Sequence, residues 1–198
     1  MKQRESTLIN MILSLVLVTF IAGISLGYVN EITKGPKAKA MLKKKIKALQ
    51  KVLPAFNNNP VEDLVLVPYA KLEDSIEVYP AYDNSNLKGL AIIGSSENGF
   101  SGLVKLMVGF REDGSIQNIE VLEQKETPGL GTKMKDEKFL KQFREVDPLQ
   151  FDLRDKKDGG QIDGLTGATI TTRAFGEAVQ MAHEIYQQEG ETLLQDKE

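Results

Sequence analysis

Ten residues near the C-terminus, Asp163-Gly164-Leu165-Thr166-Gly167-Ala168-Thr169-Ile170-Thr171-Thr172, concentrate hydroxyls and small side chains. Four threonines fall within seven positions, two of them flanking Gly167-Ala168. Such a run is poor core material and suits a backbone turn that presents a hydroxyl outward. Directly after it, Phe175, Ala178/Val179, Ala182 and Ile185/Tyr186 recur at helical spacing. Thr169–Thr172 therefore stand at a helix start, where unpaired backbone N–H groups and the positive end of the helix dipole favour a phosphate. Gly167 and Ala168 leave room for a bulky group to approach the backbone. The plain alternative is that Thr171 or Thr172 only caps the helix.

A second turn, Glu126-Thr127-Pro128-Gly129-Leu130-Gly131-Thr132, places Pro and Gly at the two central positions of a type II turn. Taken alone, it reads as a strand-to-helix connection.

Other chemistries are excluded by composition. The chain has no cysteine and one histidine, His183. Thiolate nucleophiles, disulfides, iron–sulfur clusters and histidine-rich metal sites are thereby ruled out, and any redox carrier must be organic. The Gly-x-x-x-x-Gly-Lys-Ser/Thr phosphate loop and the Gly-x-Ser-x-Gly elbow are both missing. His183 reads as an ordinary, partly exposed residue on the flank of the last helix. With 25 basic and 28 acidic residues the net charge is −3, which is no nucleic-acid footprint.

The elements that would position these turns are legible along the 198-residue chain. Leu8–Val29 contains no charge; as a helix it is about 33 Å long, the thickness of a bilayer core. Its length and the lack of an Ala-x-Ala site favour an uncleaved anchor over a signal peptide. Lys2 and Arg4 precede it, whereas Lys34, Lys37, Lys39, Lys43, Lys44, Lys45 and Lys47 follow it. The local count puts the C-terminal part inside, but the rule weakens for a long following domain. The basic segment reads as a separate helix with Pro36 in its first turn, Met41/Leu42, Ile46, Leu49 and Val52/Leu53 on one face, and Pro54 at its end. Its lysines suit a solvated face or anionic lipid.

Residues 57–60 form a loop, and 61–82 hold one or two edge strands or irregular structure, given Pro68 and Pro80. Leu87–Gly94 is a strand. Leu103–Phe110 alternates, with Val104, Leu106, Val108 and Phe110 on one face. Glu112-Asp113-Gly114-Ser115 turns the chain into a return strand over 116–123, with Ile119 and Val121 on its apolar face. A helix follows, with Asp136 as N-cap, Phe139/Leu140, Phe143 and Val146 as its buried face, and Pro148 at its end. Residues 155–160 are an exposed turn, and Gln161-Ile162 a short strand. The fold class expected is α+β: an N-terminal transmembrane helix, then a largely antiparallel sheet with packed helices.

With these residues in place, Asp163-Gly164-Leu165-Thr166-Gly167-Ala168-Thr169 resembles the Asp-x-x-Ser/Thr-Gly-Ala-Thr flavinylation motif of FMN-binding domains, and residues 126–131 resemble that family's second signature. With the anchor and the length, the chain is most similar to the G subunits of Rnf ion-translocating ferredoxin:NAD oxidoreductase complexes. The resemblance implies FMN joined through its phosphate to Thr169, with Thr166, Gly167, Ala168 and Thr172 around the linkage. Glu126, Thr127, Leu130, Gly131 and Thr132 would form the flavin wall, and a flavin transferase would read Asp163 and Gly167. It implies no metal, no acid–base catalytic residue and little activity outside the complex. Expected partners are other membrane subunits, the transferase during maturation, and lipid, with no nucleic acid.

The transferase acts outside the cytoplasm, so the resemblance places a single-pass protein in the cell (inner) membrane with its domain on the outer side. The organisation expected is a short cytoplasmic N-terminus (1–7), the anchor (8–29), a basic juxtamembrane helix and linker (30–60), the FMN-binding domain (61–190) and a tail (191–198). The C-type subunits of sodium-pumping NADH:quinone oxidoreductases share the motif but are typically longer. A non-redox anchored assembly module and a stand-alone flavin reductase are readings of other classes.

Overall fold

A computed structural model describes residues 7–69, 75–84 and 86–195, with side chains described as far as residue 190. Two compact units divide at residues 44 and 45.

The first unit, residues 1–44, carries most of helix α1 (Leu8–Val52). Among the described residues this is the one helix long and apolar enough to cross a membrane, and none of its most apolar stretch is buried against protein. Pro36 lies inside α1 and does not begin a separate helix. A proline there removes one backbone hydrogen bond, and the Ala, Lys, Met and Leu residues that follow are good helix formers that carry the helix onward.

The second unit begins at Lys45. Its centre is an antiparallel meander of β1 (Val65–Val67), β2 (Ile76–Asp83), β3 (Asn86–Gly99), β4 (Gly102–Arg111) and β5 (Ile116–Glu123), in that spatial order. Alternation in these strands sends one set of side chains to each face. Val104, Leu106, Val108 and Phe110 are all buried in a single core with Ile116, Ile119 and Val121. The opposite face buries Tyr79, Ala81, Ala91, Ile93, Met107 and Leu122 against Ala48, Leu49, Val52 and Leu53 at the end of α1. Of the apolar residues expected on that helical face, Met41, Leu42 and Ile46 stay largely exposed.

Pro80 lies in β2, which is not an edge strand, but at a point beyond the three residues of β1. Its open side faces the 57–58 loop: Asn58 donates its side-chain amide to the Pro80 carbonyl, and the Tyr82 N–H donates to Asn58 Oδ1. A missing N–H is harmless at such an edge.

The long helix α3 (Thr169–Gln195) covers the first face with Phe175, Ala178, Val179, Ala182 and Ile185, all fully buried. Gly94 of β3 lets α3 approach: a Cβ there would lie 2.0 Å from the Ala178 carbonyl oxygen. On the other face Gly109 plays the same part toward α1, with a Cβ falling 1.9 Å from the Val52 carbonyl oxygen.

In place of the single helix expected after Asp136 the chain forms a four-residue α2 (Glu137–Leu140) and a 3-10 turn (Lys141–Phe143), with another 3-10 turn (Gly131–Lys135) just before Asp136. Asp136 holds the N-cap position but makes no side-chain cap bond. Phe139, Phe143 and Phe175 pack together with centroids 5.0–5.4 Å apart, so the short turns are held by packing on α3. Val146 is only half-buried, because the chain has already left the helix. There Ile116 donates its N–H to the Val146 carbonyl and accepts from the Glu145 N–H, extending the edge of β5. Gln161-Ile162 contributes an isolated bridge to Asp155, not a strand.

His183 is buried at 3% exposure, contrary to the partly exposed residue expected, because the Phe110 and Tyr186 rings close over it. Its Nδ1 finds no hydrogen-bond partner among the described residues. Burial lowers its pKa, against weaker upward pulls from Asp147 and Glu184. The native state thus binds a proton less readily than the unfolded chain. Its contribution to stability is full above about pH 6.5 and is lost as the pH falls from there through the folded pKa. Urea unfolding of wild type and His183→Gln between pH 5 and 8 is expected to show a steeper acid limb for wild type; parallel curves would refute this.

Candidate functional site

The two turns singled out from sequence meet. Thr127-Pro128-Gly129-Leu130 closes with Leu130 N–H donating to the Thr127 carbonyl at 3.2 Å, and Gly129 has φ +76°. Leu165-Thr166-Gly167-Ala168 repeats the pattern, with Ala168 N–H donating to the Leu165 carbonyl at 3.0 Å and Gly167 at φ +77°. Positive φ at the third residue is what makes glycine necessary in both. A Cβ on Gly167 would lie 3.2 Å from Leu130 Cδ2, so the turns are in contact.

Between them is a cleft of about 420 Å³ lined by Phe100, Glu126, Thr127, Leu130, Gly131, Gly167, Ala168, Thr169, Ile170 and Thr171. Seven of these were read from sequence. Thr166, Thr132 and Thr172, expected at the cofactor, do not line the cleft. Thr166 is exposed on its turn. Thr132 Oγ1 accepts the Gly129 N–H at 2.9 Å and braces the first turn. Thr172 is buried; its hydroxyl accepts from Leu165 N–H and donates to the Ala168 carbonyl. It fastens the second turn to α3 and is not available to a ligand. Asp163 is exposed and paired with Lys156 at 2.6 Å, while its backbone is held on both sides by Gln142.

Four further residues stand around the cleft: Phe100, Lys157, Ile170 and Thr171. Phe100, 67% exposed at the β3–β4 hairpin tip, and Ile170 add to the apolar wall. Thr171 is fully buried and donates its hydroxyl to Glu126 Oε2 at 2.6 Å. Glu126, 5% exposed, also accepts the Ser101 N–H at 3.0 Å. This carboxylate ties the hairpin, the first turn and the start of α3 together. Losing one of its donors would leave a buried acceptor unsatisfied, at about 1–3 kcal/mol. A Cβ on Gly131 would strike both Glu126 Oε2 and Thr171 Oγ1, at 2.6 and 2.8 Å. Lys157 Nζ donates to Thr169 Oγ1 at 3.1 Å. Neither contact had a sequence signal, because the partners are 45 and 12 residues apart.

The 155–160 turn is not wholly exposed. Asp155 is 2% exposed and accepts the Lys157 N–H at 3.0 Å. Its Oδ2 packs where a Gly164 side chain would begin, 2.1 Å from a built Cβ. The second residue of the motif is thus held to glycine by a neighbour outside it. A larger cleft, about 850 Å³, lies beside Ser96, Arg154, Arg173 and Glu177. There Arg154 pairs with Asp152 and Arg173 with Asp158, while Glu177 accepts from Ser96 Oγ and Asn98 Nδ2.

The smaller cleft fits a flavin phosphate. Its volume falls within the usual ligand range of about 300–1,000 Å³, its wall is apolar, and a hydroxyl, a lysine and a helix start converge at one side. Fold and site together define an FMN-binding domain, and residues 99–184 match that family. The chain is 32% identical over 158 residues to the G subunit of the ion-translocating oxidoreductase complex of Vibrio atlanticus, covering 75% of this chain and 76% of the relative. It is 27% identical over 185 residues to the G subunit of the Na(+)-translocating ferredoxin:NAD(+) oxidoreductase complex of Acetobacterium woodii, covering 88% and 89%. Among solved structures it is similar to the C-type subunit of the Na(+)-translocating NADH-quinone reductase of Parabacteroides distasonis, with 19% identity, a TM-score of 0.48, and 71% and 70% of the two chains covered. The chain belongs to the family of G subunits of ion-translocating oxidoreductase complexes.

Proposed function

We propose that this chain is the membrane-anchored flavoprotein subunit of an ion-translocating electron-transport complex, carrying electrons through an FMN whose phosphate is esterified to Thr169 Oγ1. The observation that carries the reading is the meeting of the 127–130 and 165–168 turns around a cleft with the Thr169 hydroxyl in its wall. Bound FMN supplies the redox chemistry. Phe100, Leu130 and Ile170 exclude water from one side of the ring, and Glu126 and Thr171 hold the wall rigid. The linkage retains about one negative charge, which suits the start of α3.

In this reading residues 8–29 span the membrane, the 45–198 unit stands on the extracytoplasmic side, and the other subunits of the complex are the partners. A flavin transferase using FAD installs the group, reading Asp163 and Gly167. The lysines that follow the span meet lipid headgroups.

The linkage is tested on full-length protein co-produced with the transferase and then denatured. A mass gain of one FMN is expected, and trypsin, cutting after Lys157 and Arg173, should leave it on peptide 158–173. A chain that loses all flavin on denaturation would refute covalency. The side of the membrane is tested with Lys138→Cys, an exposed position in a chain that otherwise lacks cysteine. Labelling in intact cells by an impermeant maleimide is expected, and labelling only after lysis would reverse the orientation.

A further inference from the structure

We infer that Lys157 is a positioning residue for flavin attachment, orienting the Thr169 hydroxyl and neutralising the phosphodiester once it forms. This rests on the linkage to Thr169 proposed above.

Lys157 sits on a stiffly held turn. Asp155 accepts its N–H, Lys156 N–H donates to the Ile162 carbonyl, and Ile162 N–H donates to the Arg154 carbonyl. Gly159, at φ +84°, closes the turn, and Arg173 clasps Asp158 with two bonds of 2.7 and 2.8 Å. Arg173 is one helical turn beyond Thr169, so the same helix that presents the hydroxyl anchors the turn that brings the lysine. The two lysines of this turn take different partners: Lys156 reaches Asp163 at 2.6 Å and Lys157 reaches Thr169 at 3.1 Å. The two ends of the Asp163–Thr169 stretch are thus both gripped by one loop.

The charge pattern calls for an anion. Carboxylates are favoured in the first turn of a helix and cations are not. Yet α3 has no acidic residue in its first turn, and a lysine ammonium lies on its first hydroxyl. A phosphodiester on Thr169 would complete both the lysine and the helix start.

In the transfer, Thr169 Oγ1 attacks the FMN-side phosphorus of FAD. The new Oγ1–P bond forms as the bond from that phosphorus to the bridging pyrophosphate oxygen breaks. AMP leaves with that electron pair, and the hydroxyl proton passes to a base of the transferase. No oxidant or reductant is needed. Lys157, already protonated, takes no proton. By donating to Oγ1 it fixes the direction of the attacking lone pair and offsets charge building on the oxygens.

The test follows initial rates of FMN attachment to the full-length chain in detergent, with purified transferase and varied FAD and protein, for wild type, Lys157→Gln, Lys157→Arg and Thr169→Ala. Lys157→Gln is expected to lower kcat about tenfold, the loss of one charge-assisted bond, with KM for FAD unchanged and an unaltered circular dichroism spectrum and Tm. Lys157→Arg should recover most of the rate. Equal rates for wild type and Lys157→Gln, or a deficit that arginine leaves uncorrected, would overturn the role of Lys157 while the linkage stands. Attachment to Thr169→Ala would instead overturn the linkage itself, and this role of Lys157 with it.

Discussion

Thr169→Ala is expected to abolish covalent flavin completely, while Thr166→Ala, Thr171→Val and Thr172→Val leave the linkage on peptide 158–173. The four threonines differ in where their hydroxyls go. Thr171 gives its hydroxyl to buried Glu126, and Thr172 is occupied by Leu165 and the Ala168 carbonyl. Both are buried, so a transferase could reach neither without unwinding the first turn of α3. Thr166 is exposed, but outside the cleft that would take the ring. Thr169 alone is half-exposed, lines the cleft and has its oxygen approached by a lysine. A serine keeps the same atom, so Thr169→Ser should remain flavinylated. Fluorescence of the denatured band and peptide mass read the result, and flavin persisting in Thr169→Ala on peptide 158–173 would move the assignment to Thr166.

The largest effect on stability is expected from Gly94→Ala. The new methyl would lie 2.0 Å from the Ala178 carbonyl oxygen and 3.1 Å from Ala182 Cβ, both on α3. Neither neighbour is a flexible side-chain tip. Relief requires α3 to rise from β3 over the part of the helix where Ala178, Val179 and Ala182 are fully buried. Overpacking of this kind destabilises by about 3 kcal/mol or more, a large share of the usual 5–15 kcal/mol, and lowers Tm by about 6–12 °C. Gly159→Ala separates sterics from backbone strain. Gly159 has φ +84° but open space around it, so alanine there should cost only about 1–2 kcal/mol. If Gly94→Ala melts no lower than Gly159→Ala, the close approach of α3 to β3 is not what the sheet depends on. Because α3 also carries Thr169, Gly94→Ala should slow flavin attachment as well, without touching the site.

The features legible in the order of residues alone are those that repeat locally. The uncharged run at 8–29, the alternation of 103–110 and 116–123, the helical recurrence from Phe175 to Tyr186, and the two Gly-centred turns can each be read from near neighbours along the chain. Each rests on strand or helix periodicity or on positive φ, physics that operates over that range. The threonine turn came from the same local reading, as a helix start with spare hydroxyls, and the family resemblance named its group.

Which of the threonine hydroxyls are tied up, and what surrounds Thr169, depends on contacts between distant segments. Periodicity placed Phe139 and Phe143 on one face but could not show that the helix breaks between 3-10 turns, because aromatic packing on α3 holds either geometry. It showed a lone His183 on a helix flank, not the Phe110 and Tyr186 rings that bury it. It marked residues 155–160 as a turn but not that Asp155 is buried under Gly164, or that Lys157 lies on Thr169. Glu126 and Thr171, 45 positions apart, carry no mutual signal until the sheet closes beneath α3. These pairings arise from close packing between distant segments, and among the four threonines they leave Thr169 the one that both lines the cleft and is half-exposed.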